Sequence, residues 1–275
     1  MSNANDSEPE SELFHLSINP AAPTTIVFIH GVLSCHLEWA HVTPFLASDY
    51  HLLVVDANGH SGSAAIQPTD ISSSADRVAA LIRKHAKNEK AHLVGLSMGG
   101  FIALDLARRY PDLVQSIFVT GAHPFRGLFK WMAEHPSVVW YIMGAFEALP
   151  DSLYFGLARW RGMVRHEELR KETTENRRWE TVRDVYGSLL AFGWDEVSGV
   201  NVPAAVVAGG KQDDVEATRM MGPLLRGEGG SERSKAFVVR KAVHAWDLQF
   251  PELFAAGLRA WIEGGDMPGA FEELV

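Results

Sequence analysis

The sequence predicts an α/β protein: a mainly parallel central sheet with helices on both faces and a helical lid inserted between two late strands. Two observations carry that prediction. Short apolar runs rich in Val, Ile and Leu alternate with longer amphipathic segments along most of the chain. One stretch, 123–200, breaks the alternation: it has no strand-like run, only helix-like segments with Trp131, Trp140, Trp160, Trp179 and Trp194.

Strands are predicted at 13–18, 25–30, 51–56, 91–95, 116–120, 204–208 and 236–240. Most are apolar on both faces, as a sheet covered on both sides requires. Helices are predicted at 39–47, 71–87, 98–109, 215–226 and 251–263. In the second of these, Ser72–Ser74 lead in and Val78, Leu81 and Ile82 share a face. The domain reading is a polar, acidic, disordered leader over 1–12, a core formed by 13–122 with 201–265, and a lid over 123–200.

A chain of 275 residues, 47% hydrophobic, is long enough for one such domain with an insertion. Its formal charge of −9 argues against a nucleic-acid or anionic-membrane binder, since like charges repel. The single cysteine, Cys35, excludes an internal disulfide framework and reads as packing. No signal-peptide pattern and no apolar run of about 18–20 residues is present. A cytoplasmic location without membrane attachment is the expectation; oligomeric state is left open.

The sharpest motif is Gly95-Leu96-Ser97-Met98-Gly99, followed by Gly100. A strand is predicted just before it and a helix just after, the setting of a nucleophile elbow. So tight a turn strains the serine and needs very small residues two positions to either side. Serine is a weak nucleophile without a base, and the base needs an orienting acid. In this architecture they follow in the order serine, acid, histidine. The strand at 204–208 leads to Gly209-Gly210-Lys211-Gln212-Asp213-Asp214, and the strand at 236–240 leads to His244. His244 is therefore the candidate base and Asp213 the favoured acid. Asp214 is the alternative acid, or the cap of the helix at 215. The oxyanion of a tetrahedral intermediate needs backbone donors. Met98 offers its amide at a helix N-terminus, and Val32 offers one from the loop His30-Gly31-Val32-Leu33. His30 reads as a brace for that loop.

With these residues the chain resembles the α/β-hydrolase superfamily, in its lid-bearing esterase, lactonase and epoxide-hydrolase-like branch. The resemblance spans about 24–263. It rests on His30-Gly31 with Trp39 downstream, Asp56-Ala57-Asn58-Gly59-His60-Ser61-Gly62-Ser63, the Ser97 elbow, Gly210-Lys211-Gln212-Asp213, and His244 before Pro251-Glu252. It implies a Ser97–His244–Asp213 triad with Val32 and Met98 as oxyanion donors. Two departures stand out. Ser61 takes the place of the second glycine in the family's Asp-x-x-Gly-x-Gly-x-Ser segment, and one N-terminal strand stands where a hairpin is usual.

Serine at the elbow argues against the relatives that open epoxides or remove halide, which use a carboxylate there. Ala245 argues against the hydroxynitrile lyases, which typically carry lysine beside the histidine. The expected function is a serine hydrolase acting through an acyl-enzyme on a small hydrophobic ester, lactone or thioester. The alternatives are C–C bond hydrolysis, a cyclase or lyase reaction, or a triad-bearing small-molecule receptor. No cofactor and no metal is expected; His166-Glu167-Glu168 reads as a solvated helix face.

Overall fold

The structure is a computed structural model that describes residues 12–275. The leader expected over 1–12 lies outside the described residues except for Glu12, whose carboxylate meets Lys84 and His85.

Eight strands form one sheet: β1 (His15–Ile18), β2 (Thr25–Ile29), β3 (His51–Val55), β4 (Ala91–Leu96), β5 (Val114–Thr120), β6 (Ala204–Gly209), β7 (Lys235–Val239) and β8 (Glu272–Glu273). Their order is β1-β3-β2-β4-β5-β6-β7-β8. The six inner strands run parallel, while β1 and β8 lie antiparallel at the two edges. The helices are α1 (Ile71–His85), α2 (Met98–Arg109), α3 (Gly127–Glu134), α4 (Pro136–Glu147), α5 (Asp151–Trp160), α6 (Glu167–Asn176), α7 (Trp179–Ala191), α8 (Trp194–Ser198), α9 (Val215–Arg226) and α10 (Pro251–Glu263).

Alternate strand residues enter opposite cores, the period-two rule at work on a sheet covered on both sides. Val27, Ile29, Leu53, Val55, Leu93, Ile117 and Val119 pack with α1, α2 and α9. Ile26, Phe28, Leu52, Val54, Val94, Phe118 and Val207 pack with Trp39, Trp246 and the inner face of α10. Because the inner strands are parallel, β2, β4, β5, β6 and β7 all end at one edge. The loops that follow them meet there, where ligands of open α/β sheets bind.

Two expectations differ from the structure. The helix expected at 39–47 is instead a pair of 3-10 turns, His36–Trp39 and Thr43–Phe45. Pro44 has no N–H for a continuous helix, so it starts a new turn. Strand β8, two exposed glutamates, has no strand pattern of its own. It lies antiparallel beside β7, with Leu274 N–H donating to Ala236 O and the exposed Glu272 and Glu273 paired with Arg240 and Lys235.

Helices α3–α8 fill the interval between β5 and β6. Val185, Leu189, Phe192, Val197 and Val200, from α7 onward, belong to the larger core. Leu128, Trp131, Tyr141 and Trp160, in α3–α5, lie exposed. A smaller cluster joins this insert to the loop after β2: Leu33, Val139 and Val182, flanked by Val32, Met132, Trp140, Met143 and Tyr186.

Candidate active site

Ser97 alone makes the turn from β4 into α2, with φ 52° and ψ −117°. That region is sparsely populated by non-glycine residues, so neighbouring structure must hold it. Ser97 N–H donates to Thr120 O at 2.8 Å, fixing the turn against the end of β5. The flanking glycines are required by space. A Cβ on Gly99 would lie 2.1 Å from Ile29 O, and one on Gly95 would lie 2.3 Å from Gly99 O.

His244 Nδ1 and Asp213 Oδ1 stand 2.5 Å apart, and the other oxygen of Asp213 accepts from Gly209 N–H at 2.6 Å. The carboxylate is buried, while 40% of the His244 side chain remains accessible. Gln212 Oε1 accepts from His244 N–H at 2.8 Å, and Trp246 Nε1 donates to Thr120 Oγ1 at 2.7 Å. The histidine loop is thereby tied to both the acid loop and β5. Burial pushes the His244 pKa down, but the charge and hydrogen bond of Asp213, with the charge of Glu38, outweigh it and leave it raised. Asp214 faces elsewhere: it caps α9 by accepting from Ala217 N–H at 2.9 Å and holds Arg126 at 2.7 Å. Ser97 and His244 flank the Thr120–Gly121 step. A Cβ on Gly121, where φ is +61°, would lie 2.5 Å from His244 Cε1.

The loop after β2 is held by buried side chains at several backbone groups. Gly31 N–H donates to Glu38 Oε2 at 2.7 Å and Leu33 N–H to His60 Nε2 at 3.1 Å. His30 Nδ1 donates to Gly31 O at 2.7 Å while its Nε2 accepts from Ala57 N–H at 3.0 Å. His60 likewise donates through Nδ1 to Asn58 O. Each ring therefore uses one donor and one acceptor and is neutral. Burial lowers both pKa values in keeping with this, that of His60 to about 3. Amid this network the amides of Val32 and Met98 have no acceptor among the described residues.

Four residues escaped sequence reasoning. Glu38 and Asp247 are buried carboxyl groups beside the site, and neither Asp247 oxygen has a hydrogen-bond partner among the described residues. Burial pushes Glu38 up to about 7, against the Gly31 amide and the charge of His244. Asp247 is raised well above its ordinary value by burial and by the charge of Glu38. The signal was an acid inside an apolar run, Leu37-Glu38-Trp39 and Trp246-Asp247-Leu248. His60 and Asn176 gave no local signal, because their partners lie far off in sequence.

As for metals, Cys35, His36 and Asp56 bring their donor atoms within 4.8 Å of one another. Those donors are already committed to the fold. Asp56 accepts from His36 N–H, His36 Nδ1 and Gly62 N–H, and burial pushes the Cys35 thiol up to about 12. His166 caps α6, its Nδ1 accepting from Leu169 N–H at 3.2 Å.

A parallel sheet with an elbow after a central strand, an Asp–His pair after later strands and a helical insert between β5 and β6 defines an α/β-hydrolase architecture. The family described as the alpha/beta hydrolase fold matches residues 24–199, and the chain belongs to it. An AB hydrolase superfamily protein of Gibberella zeae is 29% identical over 99% of this chain and 91% of its own. A pimeloyl-(acyl-carrier protein) methyl ester esterase of Neisseria meningitidis is 28% identical over 90% of this chain and 95% of its own. The solved enol-lactonase of Burkholderia xenovorans has the same fold, with a TM-score of 0.72 at 17% identity over 91% of this chain and 96% of that one.

Proposed function

We propose that the protein is a serine hydrolase that cleaves a small hydrophobic ester, lactone or thioester through an acyl-enzyme on Ser97. The observation that carries this reading is the 2.5 Å Asp213–His244 pair, whose ring lies against Gly121, next in the chain to the Thr120 carbonyl that holds the Ser97 turn. With Nδ1 of His244 engaged by Asp213, Nε2 is left to take the Ser97 proton as the hydroxyl attacks the carbonyl carbon. Asp213 stays charged and stabilises the imidazolium. The oxyanion accepts from the amides of Val32 and Met98, aimed before the reaction begins. His244 gives its proton to the leaving oxygen or sulfur, and water then attacks the acyl-enzyme with His244 as base. This chemistry calls for no metal or cofactor.

The substrate class is supported by the apolar cluster that joins Val32 and Leu33 to Met132, Trp140, Met143 and Tyr186. Esterase and lactonase names among the relatives point the same way. In this reading the inserted helices, 123–200, act as a lid over Ser97. No helix among the described residues is long and apolar enough to cross a membrane. A cytoplasmic setting belongs to the same proposal and is supported by a single, buried, unreactive cysteine.

The test is a panel of aryl esters, alkyl lactones, acyl thioesters and β-diketones, run with wild type and Ser97→Ala. Turnover of an ester, lactone or thioester that Ser97→Ala abolishes is expected. Equal turnover by both proteins sinks the mechanism, and turnover of diketones alone sinks the substrate class.

A further inference from the structure

Asn176, the last residue of α6, is 1% exposed, and its amide spans the gap between the helical insert and the loop after β2. Its Nδ2 donates toward Leu33 O at 3.0 Å, Ser34 O at 2.9 Å and Ser61 Oγ at 2.9 Å. Its Oδ1 accepts from Ser61 N–H at 2.7 Å. Two of the residues it grips, Leu33 and Ser61, have positive φ, 63° and 39°. For a residue as bulky as leucine that is an outlier, kept only where surroundings over-determine it. Leu33 follows Val32 directly, and the Val32 N–H belongs to the Gly31–Val32 peptide, so the clamps on Leu33 and the Glu38 contact to Gly31 N–H anchor that peptide from both sides.

We propose that Asn176 is a positioning residue of the insert that holds Leu33 in its left-handed conformation and so keeps the Val32 amide aimed at the oxyanion. The inference rests on the serine-hydrolase reading of the site. Ser61, which stands where the family pattern has glycine, is the other half of the same clasp. Its hydroxyl and amide meet the two ends of the Asn176 amide, so the departure at 61 and the asparagine at 176 belong together. His60 holds Leu33 N–H from the core side while Asn176 holds Leu33 O from the insert. With both clamps closed, the Val32 amide is fixed before substrate arrives. Seating of the insert and completion of the oxyanion site become one event.

The test compares wild type, Asn176→Ala and Asn176→Asp on an aryl ester, together with inhibition by an alkyl boronic acid. That inhibitor adds to the serine hydroxyl as a tetrahedral adduct. Asn176→Asp keeps an acceptor for Ser61 N–H but sets a carboxylate against two carbonyl oxygens, so it serves where the alanine variant does not fold. Per folded molecule, kcat should fall about 10- to 100-fold with KM little changed, since an orientation is lost rather than a binding contact. The boronate inhibition constant should rise by a similar factor. A variant with a lowered melting temperature but unchanged kcat and boronate affinity overturns the proposal and leaves Asn176 a fold contact. Failure of the underlying reading looks different: Ser97→Ala would turn over ester like wild type, and the boronate would not inhibit wild type.

Discussion

Asp213 and Asp214 are chain neighbours with opposite fates: one lies 2.5 Å from His244 Nδ1, and the other turns away to cap α9 and pair with Arg126. A strand end and a helix start are separated here by only a few residues, and each claims one carboxylate. Asp213→Asn is expected to lower kcat by roughly 10²- to 10⁴-fold, because the ring loses its tautomer and its countercharge. In the proposed mechanism neutral His244 is the base, so activity should rise with pH through its pKa, which Asp213 holds above the ordinary value. In the Asn variant the residual activity should rise at lower pH. Asp214→Ala should cost about 1 kcal/mol of stability through the lost cap and leave kcat intact. Rate–pH profiles and denaturant melts of the two variants separate the roles, and the reverse pattern would exchange the assignments.

Gly121 makes a second test of geometry. A methyl group there would meet His244 Cε1 at 2.5 Å, and φ is +61°. Gly121→Ala should push the ring from its place and lower kcat by at least about tenfold, with a strain of roughly 1–2 kcal/mol. Gly156, inside α5, has nothing within 4 Å of its Cβ position. Gly156→Ala should be neutral or raise stability by roughly 0.5–1 kcal/mol, since alanine favours the helix. If both substitutions behave alike, crowding at His244 is not what Gly121 prevents.

What could be read from the sequence follows from how local each feature is. The elbow was legible because its serine and its two spacer glycines sit within five consecutive residues, and their need for space is a matter of backbone chemistry. His244 and Asp213 were legible because each lies in the loop after a late strand, in the serine–acid–histidine order. Asp213 could not be fully separated from Asp214, since only the folded loop shows which one faces the ring. Asn176 was not legible at all: Leu33 O, its acceptor, lies 143 positions away. The helix expected at 39–47 was lost to Pro44, a residue visible in the sequence but outweighed by the apolar pattern around it.

Ser97 sits at φ 52° and ψ −117°, a conformation that strains a residue other than glycine. Ser97→Ala removes the hydroxyl but keeps a Cβ at φ 52°, whereas Ser97→Gly removes both. Both variants should be inactive. The glycine variant should be the more stable of the two by roughly 1 kcal/mol, because relief of the strained conformation exceeds the added freedom of its unfolded chain. Chemical denaturation of the pair measures this directly. A glycine variant less stable than the alanine one would mean that the elbow is not strained.

Glu38 links the site to the stability of the whole fold. Its carboxyl is buried against the Gly31 amide, and its pKa rises from 4.5 to about 7 on folding. A raised folded-state pKa means that the folded protein holds the proton more tightly than the unfolded chain. The associated stability is therefore fully present below about pH 4.5 and is lost as pH rises through about 7. Asp247, also raised and without a hydrogen-bond partner among the described residues, acts in the same sense. Asp56 and Asp214 are shifted downward and act in the opposite sense. The informative quantity is thus the difference between wild type and Glu38→Gln, which keeps an acceptor for Gly31 N–H but cannot titrate. Relative to Glu38→Gln, wild type should lose stability progressively from pH 4.5 to above 7, by up to roughly 3 kcal/mol. Denaturant melts across that range measure the difference, and a flat difference curve would mean that Glu38 ionises in the folded protein as freely as in water.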